Sequence, residues 1–183
     1  MAADSVEVRA QDGASATVDV PFGRLGGDLG TRPGLDVAPL VEHVNRTRSI
    51  GLVLSRKGAH SVGVARGGRV EQSSTDRHLV HGRTKAGGWS QQRYARRRAG
   101  ESRRALESAA DAVARVLLPR RDELDGLVLG GDRSALDSLR ADPRLAGLLG
   151  AAEGRVLDVP EPRRSVLDEA ARRAVAVEVG VRD

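Results

Sequence analysis

Residues 78–118 read HLVHGRTKAGGWSQQRYARRRAGESRRALESAADAVARVLL, and their periodicity decides how the chain must be built. From Ser90 to Leu118 only Gly100 interrupts an otherwise unbroken helical pattern. Apolar or small residues recur at 95, 99, 102, 106, 109, 110, 113 and 117, a period of about 3.6. At ~100° per residue they form one stripe, predicted to be buried. Arg93, Arg97 and Arg104 fall opposite it, with Arg96 and Arg103 on its flanks. At ~1.5 Å per residue the helix is about 43 Å long. Ser90 is its expected N-cap, placing Gln91 and Gln92 in the first turn. Pro119 ends it.

Working outward, Ser49–Ser55, His60–Ala65 and Arg69–Ser74 are strand-length runs separated by turns at 58 and 67–68. They predict an antiparallel meander. Thr75–His81 is expected to add a strand leading to Gly87-Gly88. Beyond Pro119, the pattern is strand (Asp125–Leu129), helix (Ser134–Arg140), a short helical segment to Leu149, strand (Arg155–Val159) and helix (Ser165–Val177). Strands alternating with helices favour a parallel or mixed sheet. Upstream, Val6–Arg9 and Ala16–Val20 predict a hairpin about Asp12-Gly13. Residues 21–34 are a Gly- and Pro-rich loop, and Leu35–Val44 carries a short helical stripe. The expected organisation is an N-terminal part, 1–48, and a main α/β (α+β) domain, 49–183, with a mixed β-sheet flanked by helices.

Composition narrows the function classes. Hydrophobic residues make up 39% and aromatics 2%, so the core must be Val, Leu and Ala. The absence of cysteine excludes a disulfide scaffold and Cys-based zinc. His78 and His81, three apart on a strand, would point to opposite faces, so no metal or other cofactor is expected. No apolar run reaches the ~20 residues of a membrane span. The polar start MAADSVEVRAQDG does not resemble a secretory signal, and a cytoplasmic monomer is expected. Within 78–104, eight cations face one acid, Glu101, about +7 in a chain whose net charge is +5. The remainder is therefore about −2. A basic patch this local implies a polyanionic partner, here an RNA backbone.

Several residues carry the candidate chemistry. Gly87 and Gly88 permit close backbone approach to a ligand, and the helix start beyond them offers free N–H groups to an oxyanion or phosphate. Arg83, Lys85, Arg93, Arg96, Arg97 and Arg98 are the RNA-binding candidates. Gln91 and Gln92 have no useful pKa, but each can orient a water or donate to a developing charge. Ser90 lacks the His/Asp context of a nucleophile. Gly130-Gly131-Asp132 lacks the Gly-x-x-x-x-Gly-Lys of a phosphate loop. A metal-dependent nuclease would need clustered carboxylates, and the predicted strands over 50–81 bring only Glu71 and Asp76.

The run Gly87-Gly88-Trp89-Ser90-Gln91-Gln92-Arg93-Tyr94-Ala95-Arg96 resembles the catalytic loop and helix of the central domain of eukaryotic and archaeal class I peptide-chain release factors. Those factors carry a Gly-Gly-Gln-Ser loop running into an Arg-Phe-Ala-Arg helix start. Asp125-Gly126-Leu127-Val128-Leu129-Gly130-Gly131 resembles the strand and turn after their long helix. The resemblance covers roughly residues 49–178 and implies a ribonuclease-H-like sheet. Trp89 stands where those factors have glutamine. The Gly-Gly-Trp-Ser-Gln-Gln form is more similar to the actinobacterial branch of the Vms-type release-factor-like peptidyl-tRNA hydrolases. His81-Gly82-Arg83-Thr84, Val20-Pro21 and Arg24-Leu25 also resemble that branch.

The resemblance implies hydrolysis of peptidyl-tRNA at the peptidyl transferase centre of the ribosome, in rescue or quality control. Gln91 is the first candidate for the functional glutamine and Gln92 the second. Gly87 and Gly88 shape the loop, and Trp89 packs at its base or against a nucleotide. The alternative is a non-catalytic rRNA-binding module on the same scaffold.

Overall fold

The structure is a computed structural model that describes residues 5–23, 25, 30–78 and 89–182, with only the backbone of 89–95 and 98. Its centre is a five-stranded mixed sheet in the order β5-β4-β3-β6-β7. β3 (Ser49–Arg56), β4 (Ala59–Arg66) and β5 (Arg69–Arg77) form the antiparallel meander. β6 (Gly126–Gly131) lies parallel to β3, and β7 (Val156–Leu157) parallel to β6. The Gly-containing turns at 58 and 67–68 fall where the sequence puts them.

Alternation along these strands feeds two cores. Val53, Val62, Val64, Leu127 and Leu129 point to one face, where α2 (Trp89–Leu117), α3 (Arg133–Arg140) and α4 (Ala146–Leu149) pack. Ile50, Leu52, Leu54 and Val128 point to the other, covered by Leu167, Ala170, Ala171 and Ala174 of α5 (Arg164–Ala174). With both faces covered, β3 and β4 are buried almost throughout, which is why they read as continuous apolar runs. Each fully buried Val or Leu contributes about 1.5–3 kcal/mol.

β1 (Ser5–Arg9) and β2 (Ser15–Asp19) form the predicted hairpin. A strand absent from the sequence reading, β8 (Val179–Arg182), completes a separate three-stranded sheet by pairing with β2. Behind it lies α1 (Ala38–Asn45), whose Leu40 joins Val18 and Val20 in a small third cluster. Inside the Gly- and Pro-rich stretch, Phe22 adopts φ 57°, a conformation disfavoured for a bulky side chain. Its ring is buried beside Gly126, with the Arg48 guanidinium 5.6 Å from the ring centroid.

Four expectations need correction. Ser90 lies inside α2, which already includes Trp89, so it is not the N-cap. Thr75–Arg77 are the end of β5 and form no further strand; residues 79–81 lie outside the described ones. The strand predicted over Arg155–Val159 is reduced to Val156–Leu157 because only Leu129 and Gly130 of β6 lie opposite it. The stripe along α2 is not buried at its start. Ala99 and Ser102 are exposed, Leu106 is half-buried, and full burial begins at Ala105. The reason is length: eight-residue strands span about 26 Å, whereas the 29 residues of α2 span about 43 Å. The helix overhangs its sheet.

Candidate RNA-directed site at the start of the long helix

The C-terminal half of α2 is fixed to the sheet by Ala109, Ala112, Val113, Val116 and Leu117, all buried. Polar contacts fix its edge to β5. Arg115 Nη2 donates to Ser74 Oγ at 2.9 Å, and Ser108 Oγ donates to Asp76 Oδ2 at 3.4 Å. At the end of β5, the His78 backbone N–H donates to Gly58 O at 2.6 Å. His78 Nε2 sits 3.3 Å from Asp76 Oδ2 without hydrogen-bond alignment. The chain is thus held firmly where it leaves β5 and again along the docked half of α2.

Asp76 is central to this anchorage. Its carboxyl is held below the usual range, first by the Arg77 N–H that donates to Oδ1 at 2.7 Å and then by the neighbouring His78 and His60. His60 lies opposite Asp76 in the β4–β5 ladder and is buried. Burial pushes its pKa down; Asp76 opposes that, while His78 and Arg115 reinforce it. The sequence reading named Asp76 only as a sparse strand acid. The signal that marks it is Asp76-Arg77-His78 at the strand's end, where positions two apart share a face.

Beyond the edge of the sheet, Arg96, Arg97, Arg103 and Arg104 are all exposed. Arg97 Nε donates to Glu101 Oε1 at 3.1 Å, and Arg103 Nε lies a loose 3.9 Å from Glu107. Among the described side chains from 96 to 104 none is buried. At ~100° per residue these four arginines fall within about 120° of arc, so the basic segment presents one broad cationic side. Its first turn carries no acid, leaving the positive end of the helix dipole unopposed from within the turn.

Of the other sequence candidates, Trp89, Gln91, Gln92 and Arg93 lie in the opening turns of α2 by their backbone. The side chains of these four and of Arg98 are outside the described set, as are Arg83, Lys85, Gly87 and Gly88 altogether. Among the described residues no helix is long and apolar enough to cross a membrane.

The family model of the Actinobacteria/chloroflexi VLRF1 release factors matches residues 48–180. The chain belongs to this family. The VLRF1 match takes in the five-stranded sheet, α2 and all the helices that cover it. Curated relatives include peptide chain release factor subunit 1 of Thermococcus onnurineus, 34% identical over 95 residues, and that of Pyrococcus abyssi, also 34% over 95. Each match covers 51% of this chain and 23% of the relative, so this VLRF1 chain spans less than a quarter of their length. The crystal structure of an archaeal translation termination factor, aRF1, superposes with a TM-score of 0.52 at 14% identity. It covers 91% of this chain and 48% of that one, and it bears out the expected release-factor-like mixed α/β fold. The family is one of release factors by its description, and the relatives are themselves peptide chain release factor subunits.

Proposed function

We propose that the chain is a ribosome-directed peptidyl-tRNA hydrolase that frees nascent peptide from tRNA. One observation carries the reading most directly. A helix rooted in a rigid sheet extends its basic, acid-poor start past that sheet, and two glutamines open it. An ester inside ribosomal RNA can be reached only by a narrow, cationic, adaptable probe. Gly87-Gly88 supplies close approach in sequence terms, and the arginines supply attraction to phosphates.

In this reading Gln91 holds a water against the ester carbonyl carbon, and Gln92 stands next in line for that role. Oxygen of the water bonds to that carbon, the negative charge gathers on the carbonyl oxygen, and backbone N–H groups at the helix start stabilise it. The ester C–O bond then breaks. One proton of the water passes to the departing ribose oxygen and the other is lost to solvent, leaving a peptide carboxylate and a free tRNA hydroxyl. Residues 49–183 form the catalytic domain and 1–48 an addition to it. The protein acts as a cytoplasmic monomer, in rescue of stalled ribosomes, and needs no cofactor.

A peptide-release assay on stalled ribosomes tests this. Gln91→Ala should abolish release while ribosome binding persists. Loss with Gln92→Ala alone would move the role to Gln92. Full release by both single variants and by the double variant would sink the glutamine mechanism. Trp89, in the register where class I factors carry glutamine, motivates a second reading: a non-catalytic ribosome-binding module. Absence of release by the unaltered chain would favour it.

A further inference from the structure

A cleft of about 430 Å³ lies on the docked side of α2, away from its opening turns. Its walls come from α2, the end of β3 with the turn into β4, and α3 with the Asp132 before it. It sits at the carboxyl ends of the adjacent parallel strands β3 and β6, where open α/β sheets hold ligands. Ala105, Leu106 and Ala109 of α2 and Ala135 of α3 give it aliphatic walls. Lys57 and Arg103 stand at the rim together with Ser102, Ser134 and Ser138.

The charges make the cleft selective. Asp132 is the only carboxylate among the lining residues, and it is already engaged. Arg56 Nε donates to its Oδ1 at 3.0 Å, and the Lys57 backbone N–H donates to its Oδ2 at 3.1 Å. Arg56 Nη1 also donates to Val159 O at 2.8 Å, which fixes that guanidinium in the frame. The Lys57 ammonium has no carboxylate partner among the described residues, and Arg103 has only the distant Glu107. Two cations therefore remain for a ligand, beside an apolar slot.

We propose that this cleft binds one unstacked RNA nucleotide, its base against Leu106, Ala109 and Ala135 and its phosphate between Lys57 and Arg103. The volume falls in the ~300–1,000 Å³ range of small-ligand sites and is too small for a helix. Flat bases splayed out of single-stranded RNA are the usual objects of specific RNA recognition. Continuity with the basic overhang favours RNA over a free metabolite. Arg96 and Arg103 are seven residues apart, hence on one face, about 10 Å along the axis. A strand following that face from the overhang arrives at the cleft. The proposal rests on RNA being the partner; it does not depend on peptide release.

The test uses the full chain, labelled with 15N, in amide-resolved NMR titrations at about 100 mM salt. The probes are AMP, GMP, CMP, UMP, inorganic phosphate and single-stranded decaribonucleotides. A decaribonucleotide should produce saturable shifts at Gly58, Ser102, Ser134 and Ala135, with at least one mononucleotide reproducing them more weakly. Lys57→Glu with Arg103→Glu should weaken this binding at least tenfold; both side chains are exposed, so the fold should be retained. Ala135→Leu, which narrows the slot, should remove the cleft shifts while the oligonucleotide still shifts Arg96 and Arg97. Three outcomes would overturn the proposal: cleft amides silent to every oligonucleotide, phosphate alone giving the same saturable shifts, or mononucleotides binding where RNA does not. Gln91→Ala should bind in the cleft as the unaltered chain does, so loss of the hydrolase reading would leave this readout intact.

Discussion

A Cβ added to Gly126 would lie 2.5 Å from Cδ1 of Phe22, so the ring occupies the space that any larger residue at 126 would need. This contact ties the segment before α1 to the first residue of β6 and, with Arg48, packs at the starting ends of β3 and β6. Gly126→Ala should force the ring outward and cost about 1–3 kcal/mol, as overpacking does. Thermal melting is the check: a midpoint lowered by about 2–4 °C per kcal/mol is expected for a chain of this size. An unchanged midpoint would mean that Phe22 is not seated there in solution.

Gly131 should be even less tolerant. Its φ is 107°, and an added Cβ would collide with the Ser55 carbonyl, which already accepts the Asp132 N–H at 2.9 Å. Gly131→Ala therefore combines backbone strain with a clash against backbone that cannot give. A loss of more than about 2 kcal/mol in urea unfolding is expected.

Exposed arginines at 96 and 97 predict a salt signature. Reversing both to glutamate should weaken ribosome association several-fold at 50 mM salt. The slope of log affinity against log salt should become shallower by about 1.5, as expected for two lost phosphate contacts. Sedimentation with ribosomes over 50–200 mM salt measures it. An unaltered slope would show that this part of α2 does not meet RNA.

His60 predicts a pH dependence of stability. Burial lowers its pKa in the folded chain, whereas the unfolded chain has the ordinary ~6.5. Below about 6.5 the unfolded state takes up a proton that the folded state refuses, so stability falls as pH falls. Above 6.5 His60 adds no slope. Asp76, held low, loses its contribution only below the ordinary carboxylate range and so stays out of this window. Urea unfolding at pH 7.5 and 5.0 should show a drop in the unaltered chain that His60→Gln reduces; an equal drop in both would exclude His60.

The sheet was legible because its strands are local events. Ser49–Ser55 and His60–Ala65 are apolar runs closed by Gly-containing turns, and both signals lie within a few residues. The helix period over 95–117 was equally plain. Periodicity, however, marks the face that is able to be buried, not whether anything lies under it. Only the short strands beside a 29-residue helix leave Ala99 and Ser102 exposed. Val179–Arg182 was invisible for a related reason. It is four residues long, wholly exposed, and a strand only through a partner at the far end of the sequence. Phe22 sat unnoticed in a Gly- and Pro-rich stretch because its neighbour, Gly126, has no side chain to signal a contact. At the site, spacing grouped the glutamines and arginines on one helix, but not Asp76 with Ser108, which meet only through the tertiary fold, nor Lys57 and Arg103, which only the tertiary fold brings to one cleft.

The pairing of β8 with β2 sets an order of events. Ala16 lies opposite Val181, so nearly the whole sequence intervenes between two adjacent backbones. Loop closure on that scale is slow compared with the meander and its docked helix. During synthesis the β3–β5 meander and its docked helix are complete in sequence well before 179–182 are made, whereas the small sheet cannot be completed until then. Residues 5–19 would wait as a two-stranded hairpin until 179–182 emerge, making the small sheet the last part to form.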